Sequence, residues 1–157
     1  MQNQKFVGVD CHKNTIACYV NGKFKEFKTD FKGFQKALQW AGNDCCWALE
    51  GAYSYGLTFS VFLLKSGCKV FEFNALATAK ARKALSISGE KNDYGDAKVI
   101  SIFAHHMKLQ EVSLSTVELK RKLGEMISVL NEKIKKIEEK IEKETPLKAK
   151  RLCVLTG

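Results

Sequence analysis

What the sequence lacks narrows it first. Only one of its 157 residues is proline, Pro146, and no low-complexity linker or internal repeat divides the chain. No apolar run of about 18 residues could cross a membrane, and no secretory pattern opens the chain. The six cysteines (11, 18, 45, 46, 68 and 153) form no C-x-x-C pair. No Cys/His set has the spacing of a zinc finger, so a structural zinc site is excluded. Cysteines within or beside apolar stretches pack as small hydrophobes. Reduced thiols then place the protein in the cytoplasm as an expectation.

Positive charge is not lacking. The formal net charge is +9, with +5 on residues 1–112, +1 on 113–144 and +3 on 145–157. Such an excess points to a polyanionic partner, most often nucleic acid. The apolar share of 45% is enough for a domain with a true core.

The stretch Phe6-Val7-Gly8-Val9-Asp10 sets a pattern that the chain later repeats. A short apolar run reads as a buried strand, and it ends in a carboxylate. A buried charge must be paired, protonated or holding a cation. Thr15–Val20 reads as a second strand, Asn21-Gly22 as a hairpin turn, and Lys23–Lys28 as an edge strand. Asp30 caps a helix over 31–41, which Gly42-Asn43-Asp44 ends. Cys45–Glu50 is again an apolar run closed by an acid. Ser54 is the expected cap of a helix over 55–66. A strand over 68–73 comes next, then a helix over 75–86 that exposes Lys80, Arg82 and Lys83, a loop over 86–92, and a helix over 93–108. Tyr53 and Tyr55 read as packing residues, and His105-His106 as a helix-surface pair.

Three antiparallel strands, then helix, strand, helix, strand, is the βββαβαβ order of the ribonuclease H-like arrangement. The fold expected is α/β, with a mixed five-stranded sheet over residues 5–110. In that order the first and fourth strands are parallel neighbours about 4.8 Å apart, so Asp10 and Glu50 meet at one sheet edge. Asp93 and Asp96, three apart at a helix start, share a face and would complete four carboxylates around one spot. Taken singly, each acid has an ordinary explanation as a cap, a surface charge or a complement to the helix dipole. Together they form a hard oxygen set suited to Mg²⁺ or Mn²⁺, and two such ions can clamp a phosphodiester.

Over 113–145 the character changes. Leu123, Ile127, Leu130, Ile134, Ile137 and Ile141 are spaced as a heptad seam. The helix should self-associate or pack on another part of the protein, and Pro146 should end it.

The stretches Val7-Gly-Val-Asp10 with Lys13, Leu49-Glu50 with Tyr55, Asn74, and Lys91-Asn-Asp93-x-x-Asp96-Ala97 resemble the N-terminal domain of DEDD-type insertion-sequence transposases and the related Piv-type DNA invertases. The resemblance spans about residues 5–145. It implies a fold similar to the resolvase RuvC, with Asp10, Glu50, Asp93 and Asp96 as catalytic and metal-binding tetrad. It implies DNA as substrate, a homo-oligomer through the 113–145 helix, and in some members a structured guide RNA. It also implies a second domain carrying a nucleophilic serine, to which residues 146–157 would be the opening. The implied location is the bacterial cytoplasm, at the nucleoid. Lys13, Lys80, Arg82, Lys83 and Lys91 are the candidate contacts to nucleic acid. The neighbours of the acids depart from the family pattern at Gly51-Ala52-Tyr53, Ala75 and Asn92, which touches substrate positioning rather than cation binding.

Other readings of the residues are a stand-alone Holliday-junction nuclease and a non-catalytic DNA-binding and dimerisation module. An actin-like ATPase is set aside because its later glycine-rich phosphate loops are missing.

Overall fold

The computed structural model describes residues 4–42, 44–84 and 93–155, with side chains up to 144. It divides into two compact units, residues 1–118 and 119–157.

In the first unit, β1 (Lys5–Cys11), β2 (Thr15–Val20) and β3 (Lys23–Lys28) form an antiparallel meander. The β2–β3 turn places Asn21 and Gly22 at φ 49° and 79°. That left-handed pair is what a two-residue hairpin matching the strand twist requires. Helix α1 (Phe31–Ala41) comes next, capped by the Asp30 carboxylate, which accepts from the Gly33 amide at 2.7 Å. Strand β4 (Cys45–Glu50), helix α2 (Leu57–Lys65), strand β5 (Val70–Phe73), helix α3 (Ala75–Ala84) and helix α4 (Asp93–Phe103) continue the chain. With β6 (Gln110–Glu111) at one edge, the sheet runs β3-β2-β1-β4-β5-β6, with β1, β4 and β5 parallel. This is the ribonuclease H-like order that the sequence leads one to expect. One strand is additional: β6 (Gln110–Glu111) pairs antiparallel with β5. Two polar residues leave no periodic signal, so the sequence reading counts five strands instead of six.

The two faces of the sheet are covered differently. On one face Val7, Val9, Trp47, Leu49 and Val70 join Phe34 of α1 and Phe59 and Leu63 of α2 in the main core. The rings of Phe34 and Phe59 lie 4.8 Å apart, and Trp47 meets Phe59 edge-on at 5.4 Å. On the other face small side chains lie among larger ones, Phe73, Ile100 and Tyr19. Ala17 packs with Ala97, and Ala48 with Ile100 and Ala104. At Gly8 a Cβ would run into the Ala97 carbonyl and the Ser101 amide. Glycine there lets α4 lie directly on β1, and the Ser101 hydroxyl fastens the contact by donating to the Phe6 carbonyl at 2.8 Å.

Several local expectations change. Helix α2 starts at Leu57 behind Gly56, with no side-chain cap. The Ser54 hydroxyl instead donates to the Gly51 carbonyl at 3.2 Å, which also takes the Ser54 and Gly56 amides. Gly51, at φ 74°, makes that turn possible. Helix α4 stops at Phe103, short of the expected 108. Residues 85–92, where the expected loop and Lys91 fall, lie outside the described residues.

Helix α5 (Leu114–Leu155) is 42 residues long and runs through Pro146 instead of ending there. A proline costs a helix one backbone hydrogen bond and a steric clash, and the chain on either side keeps the helix. In the second unit Leu123, Ile127, Leu130, Ile134, Ile137 and Ile141 are each about half exposed, between 48% and 58%. The heptad residues therefore stand as an uncovered apolar stripe. Among the described residues no helix is long and apolar enough to cross a membrane.

Candidate metal centre

The site grows from the carboxyl end of β1. Asp10 pairs in register with Glu50 of β4, so both side chains emerge on the face that α4 covers. Asp10 is 7% exposed, and its Oδ2 has no hydrogen-bond partner. Burial pushes its carboxyl up to about 6, from an ordinary 3.8. His12 opposes the rise, and the charges of Asp96, Glu50 and Asp93 add to it. A buried acid facing three others, with one oxygen that makes no hydrogen bond, is the arrangement a cation relieves.

Beyond β1 the backbone turns tightly. The His12 amide donates to the Thr15 carbonyl at 2.9 Å, and the Thr29 hydroxyl donates to the His12 carbonyl at 3.3 Å. So held, the His12 imidazole projects back over the sheet edge. Its Nε2 lies 3.1 Å from Asp10 Oδ2 and 3.1 Å from Asp93 Oδ1. Asp93 opens α4, and its side chain is 42% exposed, so the centre is walled by the sheet and open on the helix side. Asp10, His12 and Asp93 each offer one ligand atom, all within 4.8 Å of one another.

The four expected acids are not equivalent. Asp10 and Asp93 converge through His12. Glu50 stands beside Asp10, with Oε2 buried and no hydrogen bond made. Asp96, 3% exposed, lies 2.9 Å from the Arg82 Nε of α3. That is an ion pair by distance, without the alignment of a hydrogen bond. A cleft of about 360 Å³ adjoins the acids, lined by Asp10, Glu50, Ser54, Tyr55, Glu72 and Asn74. Larger grooves exist elsewhere, but lysines outnumber Glu26 and Asp30 in the first and the second holds Asp30 alone, so chemistry marks the cleft beside Asp10.

The candidate nucleic-acid contacts are scattered. Lys13 is exposed in the turn next to the site, and Lys80 and Lys83 are exposed on α3. Arg82, expected to be exposed, is half-buried and engaged with Asp96. The tyrosines part ways: Tyr53 packs on the core, whereas Tyr55 is 66% exposed at the cleft. His105 and His106 are exposed beyond the end of α4, with the His105 ring edge-on to Phe6.

Sequence reasoning missed two participants. His12 carried a faint signal, a histidine two residues past a strand-ending acid. Arg82 carried none, because its partner is fixed by the docking of α3 beside α4.

An α/β domain with acids gathered where parallel β1 and β4 end and a helix is laid across them defines the class. The family model described as Transposase, for DEDD transposases of the IS110 type, matches residues 7–142. The chain belongs to this transposase family. Among solved structures it is similar to Thermus thermophilus RuvC in complex with Holliday junction substrate, at 14% identity and a TM-score of 0.49, covering 70% of this chain and 100% of that one. A second Thermus thermophilus RuvC structure is 13% identical, with a TM-score of 0.44 and coverage of 68% and 99%. A comparison with curated proteins gives no match.

Proposed function

We propose that this chain is the cation-dependent catalytic domain of a DNA transposase or site-specific recombinase. Asp10, Glu50, Asp93 and Asp96 are the ligand set for Mg²⁺ or Mn²⁺, with room in the donor count for two ions. The observation that carries this reading is Asp10 itself, buried and raised in pKa, with no hydrogen bond at Oδ2 and with Glu50, Asp93 and Asp96 adding to that rise. A bound divalent ion supplies Lewis-acid stabilisation of charge on the phosphodiester oxygens. The chain's own residues do the rest. The sheet fixes Asp10 and Glu50, α4 carries Asp93 and Asp96 to them, and Lys13, Lys80 and Lys83 hold the nucleic-acid backbone by charge. Lys91, outside the described residues, belongs to the same proposed set.

In this reading DNA strand exchange needs a serine-bearing second domain, and residues 146–157 lead into it. The helix of 113–145 joins copies of the chain through its exposed heptad stripe. A structured guide RNA is a further partner, and the cytoplasm, at the nucleoid, is the place of action.

One observation favours a second reading. Asp96 already has Arg82 as a counter-ion, as a structural acid in a non-catalytic DNA-binding and dimerisation module would. Replacing Glu50 by Gln in a recombination-competent protein separates the two. Catalysis through the carboxylates predicts a loss of recombination by at least a hundredfold with DNA binding kept, and unchanged recombination supports the module.

A further inference from the structure

The four acids leave one group at the centre unexplained, the imidazole of His12. We propose that His12 Nε2 is a direct ligand of the cation, so that the centre is a mixed nitrogen–oxygen site and not an all-carboxylate one. The inference rests on the cation reading above.

Three observations carry it. First, position: Nε2 lies 3.1 Å from one oxygen of Asp10 and 3.1 Å from one oxygen of Asp93. Ligands about 2.1–2.2 Å from one octahedral ion stand about 3 Å apart on adjacent vertices. Second, direction: although 3.1 Å is also a hydrogen-bond length, neither contact has a hydrogen bond's alignment, and neither Nε2 nor Asp10 Oδ2 makes a hydrogen bond. The nitrogen is at contact distance from two oxygens while donating properly to neither, as expected of atoms that share a third centre. Third, anchoring: the His12 backbone is fixed at both its amide and its carbonyl, by Thr15 and Thr29. Those bonds fix the turn from which the imidazole reaches both carboxylates.

The consequence is selectivity. A nitrogen donor favours first-row transition ions over Mg²⁺, which prefers oxygen and water. Of the two ions that suit the carboxylates, the site should hold Mn²⁺ more tightly than Mg²⁺, and His12 should account for much of the difference.

The test is Mn²⁺ titrated into the 157-residue chain at near-neutral pH, monitored by calorimetry and by electron spin-echo envelope modulation. The expected result is nitrogen modulation from a directly bound imidazole. It should change with isotope-labelled histidine in the unsubstituted protein, which needs no variant to fold. It should vanish in His12→Asn, where the Mn²⁺ dissociation constant rises about tenfold and that of Mg²⁺ about twofold or less. Mn²⁺ binding that Asp10→Asn abolishes but that shows no nitrogen modulation overturns the role of His12 and leaves the carboxylate centre standing. No Mn²⁺ binding by the unsubstituted chain overturns the carboxylate centre itself.

Discussion

The two faces of the sheet differ in how closely a helix approaches the strands. The face under α1 and α2 is filled with large rings, Phe34, Trp47 and Phe59, each fully or almost fully buried. The face under α4 mixes Phe73, Ile100 and Tyr19 with small residues, and over β1 it narrows to Gly8, where α4 brings Ala97 and Ser101 against the strand. Thick packing removes more apolar surface from water and so supplies more stability. Thin packing brings a helix backbone close to a strand and fixes its axial position tightly. The acids of the centre sit on the thin side, where a displacement of α4 would carry Asp93 and Asp96 away from Asp10 and Glu50. One face holds the domain together, and the other sets the geometry of its chemistry.

If that division is right, the faces should fail differently. Phe59→Ala opens a cavity in the thick face and should cost about 3–5 kcal/mol in denaturant-unfolding stability. The molecules that stay folded should still bind Mn²⁺ within about twofold of the unsubstituted protein. Gly8→Ala should cost less, about 1–3 kcal/mol, by forcing α4 off β1, yet weaken Mn²⁺ binding more than tenfold. Similar losses of binding in both variants would erase the distinction. Arg82→Gln should cost about 1 kcal/mol without cation, because a buried carboxylate loses a counter-ion. Added Mn²⁺ should recover that loss, whereas the Phe59→Ala deficit should remain.

A smaller effect sharpens the same comparison through pH. The Asp10 carboxyl is raised to about 6, so in the cation-free protein it binds a proton more readily than in the unfolded chain. Its contribution to stability is therefore greatest at low pH and is lost as pH rises through about 6. Cation and proton compete for it. The apparent Mn²⁺ dissociation constant should be about twofold larger at pH 6 than at pH 7, and about tenfold larger at pH 5. Calorimetric titrations at the three values check this, and a flat profile would show that Asp10 is not the competing group.

The thick face was largely legible in the sequence, because long apolar side chains at strand and helix spacing announce themselves. So was the meeting of Asp10 and Glu50, since two apolar runs ending in acids on parallel neighbours must align. The thin face was legible only in part. Gly8 reads as one glycine in a strand until Ala97 and Ser101 are seen against it. His12 and Arg82 acquire their roles from partners on α4, and nothing local to either states the distance. Ser54 misled because a good cap residue was taken up by the Gly51 turn, and Pro146 because a helix break was expected from propensity alone.

The uncovered stripe of 119–144 is a third kind of surface. Its leucines and isoleucines have the same character as those of the thick face but lie about half exposed. Its proposed role in joining copies of the chain is a matter for sedimentation.

The central claim is that acids distant in sequence share one cation beside Asp10. Mn²⁺ titrated into the intact chain and into Asp10→Asn tests it most directly, with circular dichroism confirming that both are folded. The account predicts a saturable heat for the first and its loss for the second. Equal heats from both proteins would contradict it.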